Sequence, residues 1–210
     1  MILPVGRREE KKAQTRQRLL DAAAIVFARK GFAATSLDEV AEEAGLTKGA
    51  VYSNFDSKED LINTLLHERL DRPYAAIADE VDLEAPQPTQ AAQATALMDA
   101  IGEQERDMYL LGLEFAVYRA RNPEVARKYG GDRELRRQMA ALIERQAAAR
   151  GVELPMPAEE LTLGLFALGN GLALERLLDP QGVPEGLFAK LLALLVPDAE
   201  APKPTRRRAT

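Results

Sequence analysis

Cysteine is missing from all 210 residues, which removes disulfides, thiolate zinc sites and cysteine nucleophiles from consideration. A single histidine, His67, cannot build a metal site alone, and no cofactor or metal is expected. Tryptophan is absent and aromatic residues reach only 5%. Runs of Val, Ile, Thr and Tyr are scarce as well, which weighs against sheet. No window approaches about eighteen consecutive apolar residues, so no segment reads as membrane-spanning. The basic opening, MILPVGRREEKKAQTRQR, has no apolar region behind it and does not read as a signal peptide. A cytoplasmic location is the expectation that remains. An enzyme without cysteine or a phosphate-binding loop would be left with carboxylate chemistry, and no carboxylate pair stands out from helix-surface charge.

What is present is Ala, Leu, Glu and Arg, the strong helix formers, in a chain long enough for a small domain joined to a larger one. All-α is the expected class. The formal charge of −5 argues against nucleic acid only until it is resolved along the chain. Residues 1–60 hold ten basic and ten acidic side chains, residues 203–210 hold four basic ones, and the middle holds fourteen basic against twenty-three acidic. Arg7, Arg8, Lys11, Lys12, Arg16 and Arg18 cluster on the side a nucleic acid would meet.

The stretch TSLDEVAEEAGLTKGAVYSNFDSKED, Thr35 to Asp60, reads as two short helices joined by a glycine turn and followed by the start of a third. Ser36 and Glu39 form a capping box, Val40, Ala41 and Ala44 make an apolar face, and Gly45 supplies the left-handed residue that ends the helix. Leu46 packs back, and Thr47 caps a second helix over residues 48–54. Two helices so spaced make a helix-turn-helix, whose second member lies in the major groove. Before it, Leu19, Leu20, Ala23, Val26 and Phe27 predict a scaffold helix over residues 11–30, stopped by Gly31, with residues 1–10 a mobile arm. Phe32, Leu37, Val51, Tyr52 and Phe55 are expected to complete that small core.

Ser57 caps a fourth helix, striped by Leu61, Ile62, Leu65, Leu66 and Leu70 and kinked at Pro73. After a loop over 82–89, helices are expected over 89–105 and through RDMYLLGLEFAVYRARNPE, the latter apolar nearly all round from Met108 to Tyr118 and buried on more than one side. Another starts at Asn122-Pro123, as N-cap and first helical residue, and reaches Arg150 with Gly130-Gly131 its weak point. Two more cover 158–178 and 185–195, giving nine helices, and the end DAEAPKPTRRRAT reads as disordered.

The residues AEEAGLTKGAVYSNFDSKEDL, with Arg18, Ala22, Ala23, Phe27, Gly31, Phe32 and Thr35 before them, resemble the DNA-binding domain of TetR-type (tetracycline-repressor-like) transcriptional regulators. The resemblance implies a DNA-binding domain over 1–57, a helical effector-binding and dimerisation domain over 58–196, and a basic tail over 197–210. It assigns DNA contact to Thr47, Lys48, Gly49, Ala50, Tyr52, Ser53 and Asn54. The chemistry of those residues agrees. Lys48 suits a phosphate or a guanine edge, Gly49 and Ala50 allow close backbone approach, and Tyr52 and Asn54 can reach phosphate oxygens or base edges. Thr35, Ser36 and Lys58, at helix N-termini, suit phosphates. Few of these side chains make bidentate base contacts, so DNA shape would carry part of the readout. The plain alternative leaves Tyr52 and Ser53 as ordinary surface residues.

The last two helices carry more apolar surface than a monomer of this size easily buries. The resemblance implies pairing of both into a four-helix dimer interface, through Gly164, Ala167, Leu168, Gly171 and Leu172 with Leu187, Phe188, Leu191 and Leu195. Met98, Met108, Leu111, Phe115, Tyr118, Met139 and Phe166 are candidates to line an effector pocket, with Glu114 and Asn170 as polar anchors. The alternative makes them plain core, with Glu114 paired to a neighbour such as Arg121. The expected function is a homodimeric repressor released from a partly palindromic, double-stranded operator by a small molecule. A ligand-independent or partner-controlled regulator, repressor or activator, is the second reading. Deleting residues 1–12 should weaken binding uniformly across DNA sequences and flatten its salt dependence by about 0.9 for each phosphate contact removed, as a mobility-shift titration at several salt concentrations would show.

Overall fold

The computed structural model describes residues 7–71, 106–130 and 133–195. They contain nine α-helices: α1 (Arg7–Ala34), α2 (Leu37–Glu43), α3 (Lys48–Tyr52), α4 (Lys58–Leu66), α5 (Arg106–Arg121), α6 (Pro123–Tyr129), α7 (Arg133–Arg150), α8 (Ala158–Leu178) and α9 (Leu187–Leu195). No strand occurs among the described residues, as the composition requires. The expected kink at Pro73, the loop over 82–89, the helix over 89–105 and the basic tail lie outside them.

The described residues fall into two compact units, the first formed by 7–71 with 106–130 and the second by 133–195. The first does not stop at residue 57. Leu19, Leu20, Ala23, Val26 and Phe27 of α1, Val40, Val51 and Phe55 around the helix-turn-helix, Leu61, Ile62 and Leu65 of α4, and Met108, Leu111 and Phe115 of α5 form one continuous core. A head of about fifty residues buries too little apolar surface by itself, and α4 and α5 supply what it lacks. Only one face of α5 is buried, since Val117 on the other is 53% exposed. The expected burial of α5 on more than one side is therefore not seen within this unit.

Local signals act as their chemistry predicts through most of the head. Ser36 and Glu39 form the capping box of α2. Gly45 (φ 62) ends that helix, with the Leu46 N–H donating to Ala41 O at 2.9 Å. Thr47 and Ser57 cap α3 and α4 through Ala50 N and Asp60 N.

Four details differ. Helical structure already begins at Arg7, inside the expected arm. α3 ends at Tyr52, two residues early. α4 passes at His67–Asp71 into a wider π-helical turn. The helix expected from Pro123 to Arg150, with its glycine pair as the weak point, is two helices, α6 ending at Tyr129 and α7 starting at Arg133. Pro123 does open α6, but the Asn122 side chain turns back, its Nδ2 donating to Tyr118 O at 2.7 Å and closing the end of α5.

Gly31 is the sharpest local feature. Its φ of 74° and ψ of 172° interrupt α1 in a region that only glycine occupies without strain. A Cβ there would sit 2.8 Å from Glu114 Oε2. Gly31→Ala is expected to destabilise the protein by about 1–3 kcal/mol, read as a lower urea midpoint at constant slope.

Candidate nucleic-acid interface

α3 presents a small polar surface. Thr47, Lys48, Gly49, Tyr52 and Ser53 are exposed, Tyr52 by 61%, while Val51 points into the core at 0%. The helix is thus fixed by one buried residue and offers the rest of its circumference outward. Gly49 has helical geometry, and a Cβ there would meet only Thr47 Oγ1, at 3.8 Å. Nothing among the described residues requires a glycine at a position where alanine would favour the helix by about 1 kcal/mol. Lys48 pairs with Asp38 of α2, whose carboxylate, accepting from the ammonium, raises the lysine pKa.

Cations from flanking elements hold the ends of the three head helices. Arg18 Nη2 donates to Ala44 O at 2.8 Å, at the end of α2. Arg16 Nη1 donates to Asn54 O at 2.7 Å just after α3, its guanidinium 4.3 Å from the Phe55 ring centroid and its Nη2 3.3 Å from Thr64 Oγ1. Lys58 Nζ donates to Phe32 O at 2.9 Å, Thr35 O at 3.0 Å and Ala33 O at 3.3 Å, below α1, and lies 4.4 Å from the Phe32 ring centroid. Each positive group meets the carbonyl end of a helix, the end its dipole makes negative.

Two side chains of α5 reach the same elbow. Glu114 Oε2 accepts from Phe32 N–H at 2.7 Å, and Tyr118 donates its hydroxyl to Glu59 Oε1 in the first turn of α4 at 2.9 Å. The Glu59 carboxylate raises the phenol pKa of Tyr118. The Phe32, Phe115 and Tyr118 rings pack together, with centroids 4.8–6.3 Å apart. On α2, Glu39 is held down to a pKa of about 2 by Lys30 and by the Ser36 cap. That contribution is present above the ordinary value of 4.5 and is lost as pH falls from there toward 2.

Two family profiles cover most of this architecture. The one for bacterial regulatory proteins of the tetR family matches residues 19–65, and the one for the C-terminal part of BetI-type transcriptional repressors matches 96–198. The chain belongs to the TetR family. Curated relatives align over part of this TetR-family chain. The regulator TtgR of Pseudomonas putida is 38% identical over 84 residues, 37% of this chain and 40% of TtgR. The repressor KstR2 of Rhodococcus jostii is 42% identical over 60 residues, 29% of each chain. The chain spans about two fifths of the length of the first curated relatives it matches. Among solved structures, Salmonella enterica GusR has a TM-score of 0.71 at 21% identity, covering 87% of this chain and 95% of that one. The multidrug binding protein EbrR, complexed with imidazole, has a TM-score of 0.63 at 24% identity, covering 87% and 94%. These two likenesses establish the fold.

For a TetR-family head, the expected contact residues divide into two sets. Thr47, Lys48, Gly49, Tyr52 and Ser53 stand exposed on one helix with Ala50 partly exposed beside them, and Ser36 is exposed at its cap. Thr35 is instead 3% exposed and donates its hydroxyl to Gly31 O at 2.8 Å, so that side chain closes the elbow. Lys58 points inward to three carbonyls. Asn54 turns its amide onto Ala50 O at 2.8 Å, and Tyr52 lies outside the core it was expected to join. Arg16, partly buried, and Arg18, still exposed, each hold a helix end. The only sequence signal for these roles was their helical spacing from the buried Leu19 and Leu20. Nothing in the sequence pointed to Asp38 or Glu114 as partners of the head.

The pocket candidates separate likewise. Met108, Leu111 and Phe115, 5% exposed or less, are core of the first unit, and Glu114 is tied to Phe32 and not to Arg121. Tyr118 joins them against Phe32. Met139 and Phe166 are partly buried in the second unit, Asn170 is exposed there, and Met98 lies outside the described residues. Lys58→Met is expected to destabilise the fold by about 2 kcal/mol in urea unfolding while leaving the salt slope of DNA binding unchanged. A lysine that met a phosphate would instead change that slope by about 0.9.

Proposed function

We propose that this TetR-family chain is a homodimeric, DNA-binding transcriptional repressor that a small-molecule effector releases from a partly palindromic operator. The observation that carries the reading is the α3 surface: a short helix capped by Thr47 at its start and held by Arg16 just past its end, with an outward glycine for which the described residues show no internal use. Close approach of a major-groove backbone gives Gly49 a reason. Ser36, Thr47, Lys48, Ala50, Tyr52 and Ser53 are the contacts, with the basic arm adding sequence-independent affinity.

Dimerisation rests on α8 and α9. α8 buries Ala158, Leu161, Thr162 and Leu165 on one side within its own chain. The other side carries Leu163, Gly164, Ala167, Gly171, Leu174 and Leu178, with Leu178 74% exposed. No residue of α9 is fully buried. A Cβ at Gly164 or Gly171 would meet nothing within 4 Å, so two helix-weakening glycines sit on an open face. Small residues beside large apolar ones are what close helix–helix approach needs, and a second copy supplies it.

By length and composition α8 is also apolar enough to cross a membrane. The pairing reading puts its bare face against protein, and with it the chain in the cytoplasm. The effector would act from the C-terminal domain and must favour the released conformation by about 1–3 kcal/mol of coupling. The family is one of regulators, which leaves the enzyme reading without support.

Selection of genomic fragments by the full chain, followed by footprinting of the DNA flanking its own gene, should yield a site with two related halves about one helical turn or more apart. Binding without sequence preference would remove the regulator reading. Gly171→Glu should convert the dimer to monomer in sedimentation velocity and abolish operator binding with it.

A further inference from the structure

We propose that Asp38 is a specificity residue of the reading head, holding the Lys48 ammonium away from DNA phosphates so that sequence-independent binding stays weak. The inference rests on the DNA-binding reading above. Lys48 is the only charged side chain between Thr47 and Asn54, so it is the whole electrostatic content of the recognition helix. Its partner is not a residue of α3 but Asp38 in the first turn of α2, on the same outward side. Both are substantially exposed, the lysine side chain by 69% and the aspartate by 47%. They stand where a groove would close over them.

The surroundings repeat the pattern. From Thr35 to Asp60 there are two basic side chains, Lys48 and Lys58, against seven acidic ones. Lys58 is turned onto the α1 carbonyls. Of the α2 acids, Glu39 takes Lys30 and Glu43 takes Arg29 at 3.2 Å. Neither cation of the motif faces outward without a carboxylate or carbonyl already bound to it. A phosphate approaching α3 meets Asp38 beside the only cation of that helix.

An exposed pair is weak in water, so it opens at little expense to the fold. Against a phosphate the arithmetic changes. Lys48 must abandon Asp38, and the uncovered carboxylate is left facing like charge at close range. A backbone phosphate offers only one charge in exchange, whereas a matching base edge adds directed hydrogen bonds. The pair therefore taxes every sequence and is offset only at the correct one, which is discrimination by a built-in repulsive element. Lys48 is charged at neutral pH, and the Asp38 carboxylate raises its pKa further.

The test uses the full chain as wild type, Asp38→Asn, Lys48→Ala and the double variant, titrated over a salt series on a mixed random-sequence duplex and on the selected operator. Asp38→Asn should bind the random duplex several-fold more tightly, steepen its log K against log salt slope by about 0.9, and narrow the operator-to-random ratio. In the Lys48→Ala background the same substitution should leave the slope unchanged. An unchanged slope in Asp38→Asn, or equal effects in both backgrounds, overturns the inference. A merely structural tie between α2 and α3 would lower the melting temperature and leave slope and ratio alone. Failure of the regulator reading looks different: wild-type affinity is then equal on all sequences, while the random-duplex slope still decides the role of Asp38.

Discussion

The backbone break at Gly31 is the constraint on which the rest of the head depends. A helix that ends inside a packed protein leaves carbonyls and N–H groups that must find partners. Here the partners come from three directions. Lys58 covers Phe32, Ala33 and Thr35 carbonyls, Thr35 takes the Gly31 carbonyl, and Glu114 takes the Phe32 N–H. α4 and α5 are thereby fastened to the point where the chain turns from scaffold into reading motif. The aromatic cluster of Phe32, Phe115 and Tyr118 packs beside those polar contacts.

The same arrangement reallocates charge. Basic residues that in a list look like a DNA-facing set are used instead to neutralise helix C-termini. Arg16, Arg18 and Lys58 each replace a lost backbone bond with a charge-assisted one, and the guanidinium of Arg16 also covers Phe55. In the proposed reading, recognition then falls to a nearly uncharged helix, capped by Thr47 at its start. Such a surface reads shape and close approach more than phosphate charge.

The second unit raises the opposite question, of what lies outside it. The N-terminal half of α8 buries Ala158, Leu161, Thr162 and Leu165 within its own chain, whereas no residue of its C-terminal half or of α9 is fully buried. Exposed leucines interleaved with helix glycines are costly in a monomer, both in solvation and in helix propensity. That cost makes sense where a second helix pair supplies the missing neighbours.

Much of this was legible in the sequence, because the signals concerned are local. The capping box at Ser36 and Glu39, the left-handed Gly45, the caps at Thr47 and Ser57, Pro123 at a helix start and the weak Gly130-Gly131 pair are set by residues within a turn of one another. Apolar periodicity likewise found the buried faces of α1 and α4. What the sequence could not decide was which charged or aromatic side chain meets which distant backbone group. Glu114 and Phe32 are 82 positions apart and Lys58 and Phe32 are 26 apart, and no periodicity encodes such meetings. Thr35 and Lys58, plausible at a phosphate by residue type, were turned inward by an elbow that exists only once α4 and α5 have packed. Local chemistry determined where the helices start and stop. The tertiary fold decided which side chains stay exposed and open to a ligand, because a buried helix end claims the nearest charge before any ligand can.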